Sequence, residues 1–160
     1  MKEVNIESKL YVFESFEELP KDVVLLMEKA IEAREKAYAP YSKFHVGAAL
    51  LLDNNEIITG NNQENASYPS GLCAERTAIY YANSQYPKAK VIRLAITAGS
   101  KNSQTTSPIP PCGACRQAIA EYEIKQSTPI EIYFMGETGK IVKFNSLANL
   151  LPLVFDKSAL

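Results

Sequence analysis

Three cysteines are the residues of this chain best suited to chemistry, and their spacing favours a shared metal ion. Cys112 and Cys115 form a C-x-x-C pair, and Cys73 lies on a separate segment upstream. Two thiolates at this spacing can reach one metal, and a helix start favours thiolates because its unpaired amides carry a positive dipole. A thioredoxin-like redox pair has the same spacing. The third cysteine, and the two prolines at positions 110 and 111, favour the metal.

The number of ligands distinguishes a structural metal site from a catalytic one. Structural zinc normally has four protein ligands, whereas catalytic zinc keeps one position open for water. Three cysteines without a spare ligand nearby therefore favour catalysis. Glu75 lies two residues after Cys73, where it could approach the metal without binding it and move protons between water and substrate. A first-turn glutamate can also simply favour the helix dipole, but its place beside the cysteines favours the catalytic role.

Two segments resemble the zinc motifs of the cytidine deaminase family: C-A-E-R-T-A at residues 73–78 and P-C-G-A-C-R-Q at residues 111–117. The likeness extends to the first strand region, the nucleoside-binding loop and the C-terminus of that family, at residues 39–50, 62–69 and 150–155. It covers roughly residues 20 to 156 and is closest to the small homotetrameric form with three cysteine ligands.

The resemblance implies a zinc-dependent hydrolase that converts cytidine and deoxycytidine to uridine and deoxyuridine plus ammonia, for pyrimidine salvage. Cys73, Cys112 and Cys115 would bind one zinc ion per chain, with water or hydroxide as the fourth ligand. Glu75 would deprotonate that water, protonate ring N3 as the zinc-bound hydroxide attacks C4, and help ammonia leave.

The same resemblance implies which residues hold the nucleoside. Asn62 and Glu64 match the pair that hydrogen-bonds the ribose hydroxyl, and an amide with a carboxylate can serve a hydroxyl as donor and acceptor. Phe44 matches the aromatic residue packed against the pyrimidine. Ala74 matches the residue whose backbone amide meets the base.

Two further matches imply that the active site is shared between subunits of a homotetramer. Tyr68 matches a loop tyrosine near the subunit boundary, and Phe155 matches a residue that reaches a neighbour's active site. Arg76 matches an arginine near the metal. Three thiolates on one divalent zinc leave a net negative charge, and an arginine that hydrogen-bonds the sulfurs would offset it.

Two positions depart from the family pattern. Pro110 replaces the usual Ser or Thr, which preserves a contact made through the backbone carbonyl and removes one made through a side chain. Ser67 stands where many relatives have cysteine, a change we expect to be neutral for the chemistry.

Composition excludes several other classes of protein. The chain has 160 residues, 46% of them hydrophobic, and a net charge of −1. This size predicts one domain, and the charge lacks the basic excess of a nucleic-acid surface. No apolar run approaches the roughly 20 residues of a membrane helix, and no signal peptide opens the chain. Three cysteines do not form a disulfide framework, so we expect a cytoplasmic protein with reduced thiols and without nucleic-acid or membrane partners. The near-neutral charge fits the small nucleoside substrate that the resemblance implies.

Three other functions remain open at this stage. Deamination of another cytosine compound is disfavoured by Asn62 and Glu64, which match the sugar-binding pair. Editing of cytosine in a polynucleotide is disfavoured by the near-neutral charge. A zinc module without enzymatic activity would require Glu75 to be dispensable.

Alternating helical and apolar segments must position these residues. Apolar spacing predicts helices over residues 20–38, 73–83 and 112–122, with a short one near 147–151. Apolar runs predict strands over residues 44–52, 57–60, 91–98, 130–134 and 141–144. We therefore expect an α/β fold: a cytidine deaminase-like three-layer α/β/α sandwich around a central mixed five-stranded sheet. Residues 20–160 would form the single catalytic domain, and residues 1–19 a solvated N-terminal extension of unknown role.

Overall fold

A computed structural model describes residues 1–160 and contains six strands and three α-helices. The strands are β1 (Tyr11–Phe13), β2 (Phe44–Leu52), β3 (Ile57–Asn61), β4 (Val91–Ser100), β5 (Glu131–Met135) and β6 (Ile141–Phe144). The helices are α1 (Lys21–Glu35), α2 (Ala74–Gln85) and α3 (Gly113–Gln126). None of the helices has the length and apolar character needed to cross a membrane.

The strands form one mixed sheet in the order β1-β6-β5-β4-β2-β3. Only β4 and β5 run parallel, and the other neighbours are antiparallel. The centre of β2, from Gly47 to Leu50, is buried, as the apolar run around it, interrupted only by His45, predicts for a strand covered on both faces. Residues 136–140 join β5 and β6 as an antiparallel pair.

Helices cover both faces of the sheet and build two apolar cores. On one face, α1 contributes Val23, Leu26 and Met27 to a core that includes Ala95 and Tyr133 of the sheet. On the other face, α2 and α3 pack against the sheet in a larger core; its members include Leu50, Ile58, Ile79, Leu94, Ile119 and Ile132. This arrangement confirms the predicted three-layer α/β/α sandwich.

The sheet has six strands instead of the predicted five, because part of the N-terminal extension joins it. Val12 of β1 lies opposite Val142 of β6. The Phe13 ring stacks on Tyr133 with centroids 6.4 Å apart, and Leu19 is only 6% exposed. Residues 11–19 are therefore not a solvated lead-in, although residues 1–10 are exposed.

Gly60 on β3 determines how closely α2 approaches the sheet. A Cβ atom at this position would lie 2.6 Å from both the Ala74 carbonyl oxygen and the Ala78 amide nitrogen. Because only glycine fits, the first turn of α2 rests directly on the backbone of β3. This contact fixes the helix start that carries Cys73 and Glu75.

Candidate active site

The three cysteines meet where two helices begin. Cys73 is the N-cap residue of α2, Cys112 is the N-cap residue of α3, and Cys115 lies in the first turn of α3. Their Sγ atoms all lie within 4.8 Å of one another. Both helix starts therefore direct their positive dipole ends and their unpaired amides toward one thiol cluster.

The geometry of this cluster fits one zinc ion. The Cys73–Cys112 and Cys112–Cys115 sulfur pairs are 3.9 Å and 3.5 Å apart. Two thiolates about 2.3 Å from a tetrahedral zinc lie about 3.8 Å from each other, close to both distances. All three cysteines are free of disulfides, and no fourth protein ligand joins the group, which leaves one position for water.

Contacts within the cluster favour ionised sulfur at Cys73. A hydrogen bond from the Cys115 thiol lowers the pKa of Cys73 to about 5, and the Arg76 guanidinium acts in the same direction. Burial alone would raise this pKa. The same contact and burial raise the pKa of Cys115. The cluster therefore favours a thiolate at Cys73, the form of the side chain that binds a metal.

Glu75 places a buried carboxyl group beside the cluster. It is the second residue of α2 and only 4% exposed. Burial, assisted by the charge on Cys73, raises the pKa of its carboxyl group. A carboxyl with a raised pKa is suited to accept a proton and return it near neutral pH.

Arg76 and Ala74 flank this carboxyl on the same helix. Arg76 donates from Nη2 to Cys73 Sγ at 3.6 Å. This hydrogen bond raises the pKa of the Arg76 guanidinium, although burial alone would lower it. Its Nε is buried without a hydrogen-bond partner. Ala74 is fully buried as the first residue of α2, where a backbone amide has no acceptor within the helix.

A cavity of about 470 Å³ opens beside the cluster. Five of the predicted residues line it: Asn62, Glu64, Tyr68, Cys73 and Arg76. The other lining residues are Tyr41, Ser42, Gln63, Asn65, Gly71 and Leu72. A cavity of this size holds a small polar ligand, and its wall joins the predicted sugar-binding pair to one metal ligand.

Asn62 links the cavity wall to β2. Its Oδ1 accepts from the Val46 amide at 2.8 Å, and its Nδ2 donates to the Phe44 carbonyl at 2.9 Å. Both amide atoms are therefore already paired, although Nδ2 keeps a second hydrogen and Oδ1 a second lone pair.

Glu64 holds the loop that precedes β2. Its Oε2 accepts from the amides of Tyr41 and Ser42 at 2.9 Å and 3.2 Å, and the Ser42 hydroxyl donates to Oε1. Burial alone would raise the pKa of this carboxyl, but the Ser42 hydroxyl and the two amides lower it. Glu64 is thus an ionised acceptor at the cavity wall.

Of three further predicted substrate residues, one lines this cavity and two do not. Tyr68 lines it and is 78% exposed. Phe44 is half-buried at the start of β2 and does not line the cavity. Phe155 is 63% exposed in the C-terminal segment, and the chain does not bring it to its own cavity.

Sequence reasoning assigned no role to several residues that support the site. Ser42 fixes Glu64, and Arg116 and Gln117 contact the C-terminal segment. A sequence signal for Arg116 and Gln117 was present, since this Arg-Gln pair directly follows the cysteine motif.

Pro110, the residue that departs from the family pattern, is exposed. A second cavity of about 230 Å³, between the distal ends of α2 and α3, contains none of the predicted residues.

Comparison with known proteins gives a consistent result. The family model described as "Cytidine and deoxycytidylate deaminase zinc-binding region" matches residues 20–129. The cytidine deaminase of Halalkalibacterium halodurans is 50% identical over 134 residues, which cover 84% of this chain and 94% of that protein. The cytidine deaminase of Sporosarcina psychrophila is 43% identical over 139 residues, covering 87% and 95%.

Solved structures agree with these relatives. The crystal structure of cytidine deaminase from Burkholderia pseudomallei matches with a TM-score of 0.71 at 36% identity, covering 86% of this chain and all of that one. The enzyme from Mycobacterium tuberculosis matches with a TM-score of 0.65 at 32% identity, covering 86% and 99%. The family match spans more than half of the residues, and the matched zinc-binding region contains the cluster of three cysteines. This chain therefore belongs to the cytidine deaminase family.

Proposed function

We propose that this protein catalyses the hydrolytic deamination of cytidine and deoxycytidine to uridine and deoxyuridine, with release of ammonia, in pyrimidine salvage. The position of Glu75 carries the proposal. A carboxyl group that is 4% exposed lies two residues from Cys73, beside three thiols whose geometry fits zinc. Deamination by water requires both a metal and a proton carrier at this position.

Glu75 moves the two protons that the reaction transfers. When zinc is bound by the three cysteines, it supplies Lewis-acid activation that lowers the pKa of a water to about 7. The Glu75 carboxylate takes one proton from the attacking water and delivers it to N3 of the base. It then takes the second proton and delivers it to the departing amino group, so that water and cytidine become uridine and ammonia. The raised pKa of Glu75 supports both directions of transfer.

The remaining site residues bind and orient the nucleoside. Glu64 accepts a hydrogen bond from a ribose hydroxyl, and the free hydrogen of Asn62 Nδ2 donates to it. Phe44 packs against the pyrimidine ring, and the unpaired amide of Ala74 donates to the base. Arg76 offsets the negative charge of the thiolates through its contact with Cys73.

The active site is completed by self-association into a homotetramer. Tyr68 and Phe155 present large aromatic surfaces, 78% and 63% exposed, that water solvates poorly. Phe155 lies outside its own subunit's cavity, so that a role in catalysis requires a neighbouring site. Tyr68 lies on the cavity rim, where a neighbour would contact it.

A direct assay of substrate and proton carrier tests the reaction. Purified protein is mixed with cytidine, deoxycytidine or a cytosine-containing oligonucleotide, and loss of the cytosine absorption band is followed. We expect turnover of both nucleosides. Glu75→Gln should retain about one zinc per chain and lose nearly all turnover, whereas the exposed Glu121→Gln should behave as wild type. Turnover of the oligonucleotide alone, or an active Glu75→Gln, would overturn the proposal.

Complementation tests the shared site. Glu75→Gln and Phe155→Ala subunits are each weakly active alone, but a mixed oligomer contains sites with an intact Glu75 from one subunit and an intact Phe155 from its neighbour. Co-expression should therefore raise activity well above the sum of the two variants, and light scattering should give the mass of four chains. Activity that stays at the sum of the two variants contradicts a shared site.

A further inference from the structure

Two consecutive residues of α3 connect the metal ligands to the C-terminal segment, which we define as residues 150–155. Arg116 donates from Nη1 to the Leu150 carbonyl at 3.1 Å and from Nε to the Pro111 carbonyl at 2.9 Å. Gln117 donates from Nε2 to the Phe155 carbonyl at 2.8 Å. Both residues directly follow Cys115, so the helix turn that supplies a ligand also holds this segment.

The C-terminal segment has a buried side and an exposed side. Leu150, Leu151 and Val154 pack against the larger core. Leu153 and Phe155 point outward and are 80% and 63% exposed. Because the inward residues alternate with outward ones at its end, a small shift of the backbone redirects the Phe155 ring.

Little else fixes this backbone. Residues 152–155 belong to no helix or strand and make no backbone–backbone hydrogen bonds. The bond from Gln117 is the only hydrogen bond that reaches them. Arg116 fixes the beginning of the segment, and Gln117 fixes its end at the residue that carries the exposed ring.

We propose that Gln117 is a positioning residue that presents Phe155 to the active site of a neighbouring subunit, with Arg116 fixing where the segment begins. This inference rests on the proposed function, in which Phe155 completes a neighbour's site. The same helix turn then carries a metal ligand of its own subunit and places the Phe155 ring that enters the partner's site. Loss of the Gln117 bond weakens nucleoside binding without removing zinc or the proton carrier.

The natural chain contains no tryptophan, so the fluorescence of one tryptophan introduced at position 155 reports the surroundings of that residue alone. Phe155→Trp is made alone and combined with Gln117→Glu, which keeps the side-chain shape but removes the donor. Gln117→Lys retains a donor of similar reach, and Gln85→Glu repeats the charge change on the exposed end of α2. We expect Gln117→Glu to shift the emission to longer wavelength and increase acrylamide quenching, with Gln117→Lys and Gln85→Glu close to the parent.

The same substitutions at Gln117 and Gln85 are then made in the chain that keeps Phe155, and their steady-state kinetics with cytidine are measured. Gln117→Glu should raise KM for cytidine about threefold to tenfold, as expected for one lost hydrogen bond, with kcat within about twofold and zinc content unchanged. Gln117→Lys should restore KM. Unchanged emission and KM in Gln117→Glu, or a loss of zinc and kcat at constant KM, would overturn the positioning role.

Phe155→Ala distinguishes failure of the inference from failure of the proposed function. If Phe155→Ala raises KM while Gln117→Glu does not, Phe155 serves the site but Gln117 does not position it. If Phe155→Ala leaves KM unchanged and does not complement Glu75→Gln, the shared site itself is wrong.

Discussion

Arg76 donates a hydrogen bond to Cys73 Sγ at 3.6 Å, which places a permanent positive charge beside the three thiol ligands. Three thiolates and one zinc ion carry a net charge of −1 by formal addition. An additional negative charge on the metal weakens its ability to activate water. We therefore expect Arg76 to affect the proposed reaction through the cysteine that it contacts.

Arg76→Gln should therefore lower kcat while zinc remains bound. We expect a decrease of about tenfold to hundredfold, since a hydrogen bond to a charged group contributes about 1.5–3 kcal/mol. Arg76→Lys keeps the charge and should recover part of the loss. Turnover is measured together with zinc content, and a variant within twofold of wild-type kcat at full zinc occupancy would contradict this role.

Glu64→Gln should weaken recognition of the sugar. The Glu64 Oε2 accepts from the Tyr41 and Ser42 amides. A glutamine side chain can keep both donors on its amide oxygen, but its uncharged NH2 then replaces Oε1 and removes the charged acceptor for the ribose hydroxyl. We expect KM for cytidine to rise about tenfold to hundredfold, because charge-assisted hydrogen bonds contribute about 1.5–3 kcal/mol.

A sugar-free substrate provides the control for Glu64. The base of 1-methylcytosine is intact but carries no ribose, so its KM should change little in Glu64→Gln. An equal rise for both substrates would show that the carboxylate acts only by holding the loop at Tyr41 and Ser42.

Most of the helices and strands were predictable because a buried face requires apolar residues at a regular spacing in the sequence. β2 was predicted over residues 44–52 and occupies the same residues, since a central strand buried on both faces is a nearly continuous apolar run, here interrupted only by His45. α3 extends beyond its predicted end at residue 122 and stops at Gln126, before Ser127 in left-handed conformation. β1 was missed because three residues at a sheet edge, two of them exposed, contain no such pattern.

The site was predictable as far as residue type determines chemistry. Three cysteines suffice to predict the cluster that could hold zinc, and the catalytic role of the neighbouring Glu75 stays a prediction. The contact of Glu64 with Ser42 depends on a loop whose Lys43 has φ of 57°, a conformation that glycine or asparagine would have signalled and lysine does not. The contact between Gln117 and Phe155 joins distant parts of the chain, which local patterns cannot reveal.

The edge strand β1 should stabilise the fold without affecting catalysis. Phe13→Ala removes the ring that stacks on Tyr133, and we expect Tm to fall by about 3–10 °C, as for a half-buried aromatic side chain in a chain of this size. Val12→Ala is the matched control, since Val12 is the neighbouring residue and is 46% exposed.

Circular dichroism melting and cytidine kinetics check both expectations for β1. Val12→Ala should change Tm by less than about 2 °C, as exposed substitutions usually do. Both variants should keep kcat/KM within about twofold, because the strand pairs with β6 and none of its residues lines the candidate cavity. Equal losses of Tm in the two variants would contradict a specific role for the Phe13 ring.

Glu131 should contribute stability that depends on pH. Its carboxylate accepts from Arg93 at 2.6 Å and from Lys143 at 2.5 Å. Burial alone would raise the pKa of Glu131, but Lys143 and Arg93 lower it. Because the pKa in the folded state lies below the unfolded value of about 4.3, the contribution is complete above that value and is lost as pH falls through the folded pKa.

Glu131→Gln isolates this contribution. The difference in free energy of unfolding between wild type and variant should be about 1 kcal/mol at neutral pH, as for partly exposed ion pairs. It should remain constant down to about pH 5 and shrink as pH falls below the unfolded value of about 4.3. Urea unfolding followed by circular dichroism measures it, with the exposed Glu121→Gln as a control that should show little difference throughout. A difference that does not change between pH 7 and pH 3 would show that the Glu131 carboxylate stabilises the fold through packing and not through its charge.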